Sequence, residues 1–197
     1  MAKKKKFSEK FSALDPRFRE KLGTMFKEII DSVYLLYETA IKDGKTGLYN
    51  AKFFDTILEM EIEKAQRGYE KLSLFVIDID FFKKINDKHG HIKADEFLVR
   101  VSKIIEKTMR KSDVVSRFGG EEFFILLPET GLEKAKKITS RLRTNLKKDM
   151  LLKKYNVTVS GGLTEFHDKD NKKKFMSRAD KALYKAKNTG RDKFVIF

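Results

Sequence analysis

Two strand-like runs meet at Gly119-Gly120, the second spanning 121–127 and stopped by Pro128. A glycine pair between such runs predicts a tight antiparallel hairpin. Proline, with no amide hydrogen to donate, ends the returning strand. A lone hairpin is not stable in water, so this one must join a larger sheet. The run 72–79 is apolar and of strand length, and it closes in Asp78-Ile79-Asp80. Further strands are expected over 157–161 and 194–197. Helical patterns cover 51–67, capped by Asn50, then 94–109, 132–146 and 175–187. Helices alternating with strands around a hairpin predict a mixed α/β (α+β) domain in which helices cover a central sheet.

Upstream, Pro16 sets a helix start, and 17–42 carries apolar residues at Phe18, Leu22, Met25, Ile29, Val33, Leu36 and Ala40. Two 11-residue steps make this a nearly straight stripe, suited to a paired stalk or to packing on the chain's own domain. Asp43-Gly44-Lys45-Thr46-Gly47 breaks the helix. The expected division is therefore a basic tail and helix over 1–42 and a globular domain over 43–197, which the resemblance given below implies are a signalling or dimerisation helix and a catalytic domain.

The chain has 44 Lys and Arg against 29 Asp and Glu, a net charge of +15, which favours polyanionic partners or simply a lysine-rich surface. The Lys3 to Lys6 run reads as a disordered tail, with weak lipid or nucleic-acid attraction as the alternative. No signal-peptide or membrane-spanning pattern is read, and the absence of cysteine fits a reducing cytoplasm. Without thiolates, any metal must be held by oxygen or imidazole. His89 and His91 lie two apart but lack a second pair, so zinc is not expected.

Three features carry chemistry. Asp78 and Asp80 sit at the mouth of a buried strand, where carboxylates suit a divalent cation, although acidic residues also simply terminate strands. Glu121 and Glu122 follow the glycine hairpin directly, and strand alternation sends them to opposite faces, hence to different tasks. If the two strands are neighbours, Asp78 and Glu121 can share Mg²⁺, with triphosphate oxygens completing an octahedron. Lys83, Lys187 and Arg191 are placed to meet a triphosphate.

The chain resembles the GGDEF domains of diguanylate cyclases over about 43–197. The resemblance rests on Asp43-Gly44-Lys45-Thr46-Gly47-Leu48-Tyr49-Asn50, on Asp78 to Asp87, on Gly90-His91 with Asp95, and on Arg117-Phe118-Gly119-Gly120-Glu121-Glu122-Phe123. Val157 to Gly161, Ala182 to Lys187 and Gly190-Arg191 continue it. It implies a mostly antiparallel sheet flanked by helices, akin to polymerase palms and nucleotide cyclases. The implied reaction is the Mg²⁺-dependent condensation of two GTP into cyclic di-GMP and two pyrophosphates, in a homodimer, with Mn²⁺ as an alternative ion.

The resemblance assigns the metal to Asp78, the Ile79 carbonyl and Glu121, and catalysis to Glu121, Lys83 and Glu122. Backbone at Phe81, Phe82 and Gly120 would approach the phosphates. Asn86 and Asp95 match guanine-reading positions, His91 a nearby substrate contact, and Lys187 with Arg191 the triphosphate clamp. Arg110-Lys111-Ser112-Asp113, five residues before Gly119, matches the family's inhibitory product site, and Arg141 falls where a second arginine is supplied. Lys45 stands where the family usually has Leu, Ala51-Lys52 where it has an arginine pair, Ala94 where it has Gly, and Asp192 where Asn is frequent. A catalytically inactive receptor for cyclic di-GMP or GTP is the alternative. Specific nucleic-acid binding would leave the paired acids unexplained.

Overall fold

The computed structural model describes residue 11, residues 14–68 and residues 70–197. The Lys3 to Lys6 run lies outside the described residues. The chain divides into two units, one ending at Ala40 and one from Ile41 to Phe197. The first contains helix α1 (Pro16–Ile41) almost entirely, and none of that helix's residues is buried. Its N-terminus is held by Asp15, whose Oδ1 accepts from the amides of Arg17 and Phe18. Phe18, Met25, Ile29, Val33 and Leu36 of the apolar stripe are all exposed.

The second unit runs β1 (Tyr49–Asn50), α2 (Ala51–Gln66), β2 (Leu72–Ile79), α3 (Phe82–His89), α4 (His91–Thr108), β3 (Val114–Gly119) and β4 (Glu122–Pro128). It continues with α5 (Leu132–Lys148), α6 (Met150–Lys154), β5 (Val159–Glu165), α7 (Lys172–Asn188) and β6 (Phe194–Ile196). The sheet order is β1-β3-β4-β2-β5-β6. The inner pairings β3–β4, β4–β2 and β2–β5 are antiparallel, and the edge pairings β1–β3 and β5–β6 are parallel. The sheet is thus mostly antiparallel, as expected.

Central β2 is buried along its whole length and divides two cores by simple alternation. Phe75, Ile77 and Ile79 pack toward Phe97, Val101 and Ile105 of α4 and Leu142 of α5. Leu72, Leu74 and Val76 face Phe54, Leu58 and Ile62 of α2 and Phe175, Ala179 and Leu183 of α7. The same period of two assigns Asp78, the next residue in that second row, to the α7 side.

Four elements depart from the sequence expectations, one of them the five-residue helix α6 (Met150–Lys154), where no helix is expected. Residues 82–89 form α3, which is too short to show a helical period in the sequence. Two-residue β1 makes a parallel edge with β3 at Tyr49↔Ser116. Strand β5 starts at Val159 and runs on to Glu165, because Gly161-Gly162 is the middle of the strand and not its end. A Cβ on Gly161 would stand 2.6 Å from the Phe75 ring, and one on Gly162 only 2.2 Å from the Ala179 carbonyl oxygen. Gly162 lets α7 lie directly on the sheet, and Gly161 makes room for the Phe75 and Phe194 rings on the opposite face. Elsewhere Asn50 caps α2 as expected, its side chain accepting from the Phe53 amide at 2.9 Å.

Candidate active site at the end of the central strands

Asp78 pairs in register with Glu122 across β2 and β4, so these two carboxylates share the α7 face. Glu121 lies in the turn just before β4, with its carbonyl accepting from the Ile79 amide at 3.3 Å. Gly120 takes φ 48°, a left-handed conformation that suits glycine, and the pairing of β3 with β4 shifts register between Arg117 and Gly119. Arg117 fixes this turn: its Nε donates to the Gly120 carbonyl at 2.8 Å and its guanidinium reaches Asp43 at 3.2 and 3.3 Å. Asp43 also accepts from the amide and hydroxyl of Thr46. One arginine therefore ties the hairpin to the opening Asp-Gly-Lys-Thr-Gly turn.

Asp78 is 5% exposed, and its Oδ2 meets Lys187 Nζ at 2.8 Å. Burial pushes its carboxyl up, Lys187 pulls it back, Glu121 and Glu122 push it up again, and the result is about 6. Burial likewise raises Glu122, with Lys187 opposing and Asp180 and Glu121 adding to the rise. One lysine thus faces an acidic group whose ionised form is under-compensated, a surrounding that an added cation would stabilise. Among the described residues no three His, Asp or Glu side chains converge into a cage. Asp78, the Ile79 carbonyl and Glu121 fit Mg²⁺, which is usually held by one or two carboxylates while water and substrate phosphate fill the other positions.

Asp80 has a different task. It is 3% exposed and accepts from the hydroxyls of Thr158 and Ser160, both at 2.7 Å, and from the Asp192 amide at 3.1 Å. Its amide donates to the Thr158 carbonyl. A carboxylate so engaged ties β2, β5 and the loop after α7 together. That loop is bent through positive φ at Gly190, Arg191 and Asp192. Arg191 lies with its guanidinium carbon 4.3 Å from the centroid of the exposed Phe81 ring, a cation–π stack. Phe81 itself takes φ 56° at the head of α3. The first amides of α3, at Phe82 and Lys83, point out of the helix start beside Arg191, and exposed Lys83 sits on the same turn.

The residues expected to read the base cluster at the other end of α3. His91 Nδ1 lies 3.1 Å from Asn86 Oδ1, and Asp95 projects from the first turns of α4. Ala94 is fully buried, so its extra methyl is absorbed by the core. Asp95 Oδ1 meets Lys45 Nζ at 2.5 Å.

A separate group surrounds the end of α4. Asp113 Oδ2 accepts from the Arg110 amide at 2.7 Å, while its buried Oδ1 has no hydrogen-bond partner. Burial raises this carboxyl, against the pull of Arg110 and Arg141. Arg141 of α5 reaches over to the Thr108 carbonyl at 2.6 Å. Arg110, Lys111 and Asp113, with Tyr49 and Met109, line a pocket of about 220 Å³.

The candidate site residues singled out in the sequence thus fall into three groups: the strand end, the far end of α3 with the first turns of α4, and the end of α4. Asp80, expected with Asp78 to suit a divalent cation, is instead engaged by the hydroxyls of Thr158 and Ser160 and by the Asp192 amide, and Arg117 has no expected role beyond its place in the hairpin motif. The signal for Asp80 was the pair of hydroxyls at Thr158 and Ser160, two residues apart and so on one face of a strand.

The family model for the diguanylate cyclase GGDEF domain matches residues 40–193. The chain is 38% identical to diguanylate cyclase DgcP of Pseudomonas aeruginosa over 81% of its length, which is 24% of that protein. It is 34% identical to diguanylate cyclase A of Treponema denticola over its whole length, which is 54% of that protein. The chain therefore spans between about a quarter and a half of these curated relatives. Among solved structures, the coiled coil and GGDEF domain of DgcB from Caulobacter crescentus, in complex with c-di-GMP, superposes with a TM-score of 0.82. That likeness covers 90% of this chain and 96% of that one at 27% identity. Diguanylate cyclase SiaD of Pseudomonas aeruginosa, in complex with its activator SiaC, gives 0.75 at 31% identity over 100% of this chain and 78% of that one. With the glycine hairpin and the acidic strand end side by side in one sheet, the chain belongs to the GGDEF-domain family of diguanylate cyclases.

Proposed function

We propose that this chain is a diguanylate cyclase that condenses two GTP into cyclic di-GMP and releases two pyrophosphates. The observation that carries the reading is the in-register pairing that brings Asp78 beside Glu121 and Glu122 under one lysine, next to the Arg191 loop and the free amides of α3. Mg²⁺, held by Asp78, the Ile79 carbonyl and Glu121, would supply charge neutralisation and acidify the attacking hydroxyl. The protein's own groups do the rest. Lys187, Arg191 and the α3 amides hold the triphosphate, and Lys83 meets charge developing on the transferring phosphoryl. Asp95 accepts from guanine N1–H and N2–H₂, and Asn86 bonds a further edge of the base. A Glu121 carboxylate oxygen takes the proton of the ribose 3′-hydroxyl, whose oxygen bonds to the α-phosphorus of the opposite nucleotide while the bond to pyrophosphate breaks. Each site holds one GTP and the product is two-fold symmetric, so two chains must face each other, with 43–197 as the catalytic domain and 1–42 as the segment that brings it to its partner.

The pocket lined by Arg110 and Asp113, with Arg141 nearby at the Thr108 carbonyl, is read as the product-inhibition site. The unpaired buried Oδ1 of Asp113 is an acceptor for guanine N–H, and Arg110 can grip O6 and N7. The test is to incubate the protein with GTP and Mg²⁺ and separate the products chromatographically. One cyclic di-GMP per two pyrophosphates is expected, and no nucleotide product would refute the assignment. Added cyclic di-GMP should slow the parent but not Arg110→Ala; equal inhibition of both would remove the inhibitory site.

A further inference from the structure

We propose that Lys45 is a base-reading residue that donates to guanine O6 beside Asp95, an inference that rests on the GTP reading above. Lys45 lies 50 positions from Asp95, yet its Nζ stands 2.5 Å from Asp95 Oδ1. Both side chains are about 40% exposed, so the pair is open to a ligand and is not a buried strut.

The backbone beneath Lys45 is held firmly. Thr46 bonds back to Asp43 through amide and hydroxyl, the Gly47 amide donates to the Asp43 carbonyl, and the Asp43 amide donates to Leu48. Arg117 binds Asp43 and the Gly120 carbonyl together, so the turn that carries Lys45 shares a frame with the Gly-Gly hairpin. An ammonium at the end of a flexible stem is thereby anchored at its root.

The chemistry follows from the guanine edge. N2–H₂, N1–H and O6 lie in a row, so a carboxylate that accepts the two donors leaves O6 beside it needing a donor. Lys45 has three N–H groups and uses one on Asp95, which leaves two for the neighbouring oxygen. Adenine presents an amino donor where guanine has O6, and the ammonium would face it unpaired. A Leu at this position, the family's usual residue, could supply only apolar contact.

The probe is 6-thio-GTP, which keeps N1–H and N2–H₂ but replaces O6 with a weakly accepting sulfur. The parent should prefer GTP to 6-thio-GTP by about 10-fold in KM, the size of one hydrogen bond to a charged donor. Lys45→Leu should raise KM for GTP by about the same factor with kcat nearly unchanged, and should lose the preference between the two nucleotides. Lys45→Arg should restore part of both. A Lys45→Leu variant that binds GTP as tightly as the parent or more tightly, or that keeps the parent's preference, would overturn the inference. A parent that neither binds nor turns over GTP brings down the cyclase reading as well; a parent that turns over GTP with no effect of Lys45 brings down this inference alone.

Discussion

Asp78 and Asp170 show how burial and neighbours set opposite signs for one residue type. At Asp78, burial and two glutamates outweigh Lys187 and raise the carboxyl to about 6. At Asp170, burial also acts upward, but Arg178 at 2.5 and 3.0 Å and the His167 amide at 2.8 Å outweigh it and hold the carboxyl below its usual range. A depressed carboxyl stabilises the fold above the unfolded value near 3.9, and that contribution is lost as pH falls through the lower folded value. Asp170→Asn should therefore lower the free energy of unfolding by about 2 kcal/mol at pH 7, with the gap to the parent closing below about pH 4. Denaturant titrations across that range measure it, and a gap that stays constant down to pH 3 would contradict the assignment.

At the scale of elements, the close approach of α7 to β5 places Lys187 over Asp78. Gly162 makes that approach, since a Cβ there would meet the Ala179 carbonyl oxygen at 2.2 Å and the Leu183 nitrogen at 2.4 Å, both backbone atoms that cannot swing aside. Gly162→Ala should destabilise the domain by about 3 kcal/mol and lower its melting temperature by roughly 6–12 °C. An unchanged melting temperature would show that α7 has room to move. The same glycines explain where the sequence was legible and where it was not. Strong periodic runs at 51–66, 72–79 and 132–146 announced their elements, and the Gly119-Gly120 hairpin announced its pairing. Gly161-Gly162 reads as a strand end because local propensity does not register α7 pressing on Gly162 from one face and the Phe75 and Phe194 rings on Gly161 from the other. Eight-residue α3 and two-residue β1 were hidden because neither is long enough to show a period. In the site, the acids and cations were legible as types in a motif. Their partners were less so: Arg117 with Asp43 and Lys45 with Asp95 are brought together across 74 and 50 positions by the sheet.

The whole molecule carries a +15 charge, and on the proposed reading that positive field raises the encounter rate with polyanionic GTP while the strand end carries the reaction. Helix α1 exposes Ile30, Tyr34, Leu35 and Leu36 along with most of its apolar stripe, a surface suited to the chain pairing that the proposed reaction calls for. All of this depends on the acidic strand end being the catalytic centre, and Glu121 tests that most directly. It belongs to an exposed-side turn and not to the core, so its removal should leave the unfolding transition in place. Glu121→Ala should lower the rate of cyclic di-GMP formation from GTP and Mg²⁺ by at least about 100-fold, through loss of a metal ligand and of the proton acceptor. A folded Glu121→Ala variant that forms cyclic di-GMP at the parent's rate would contradict the account.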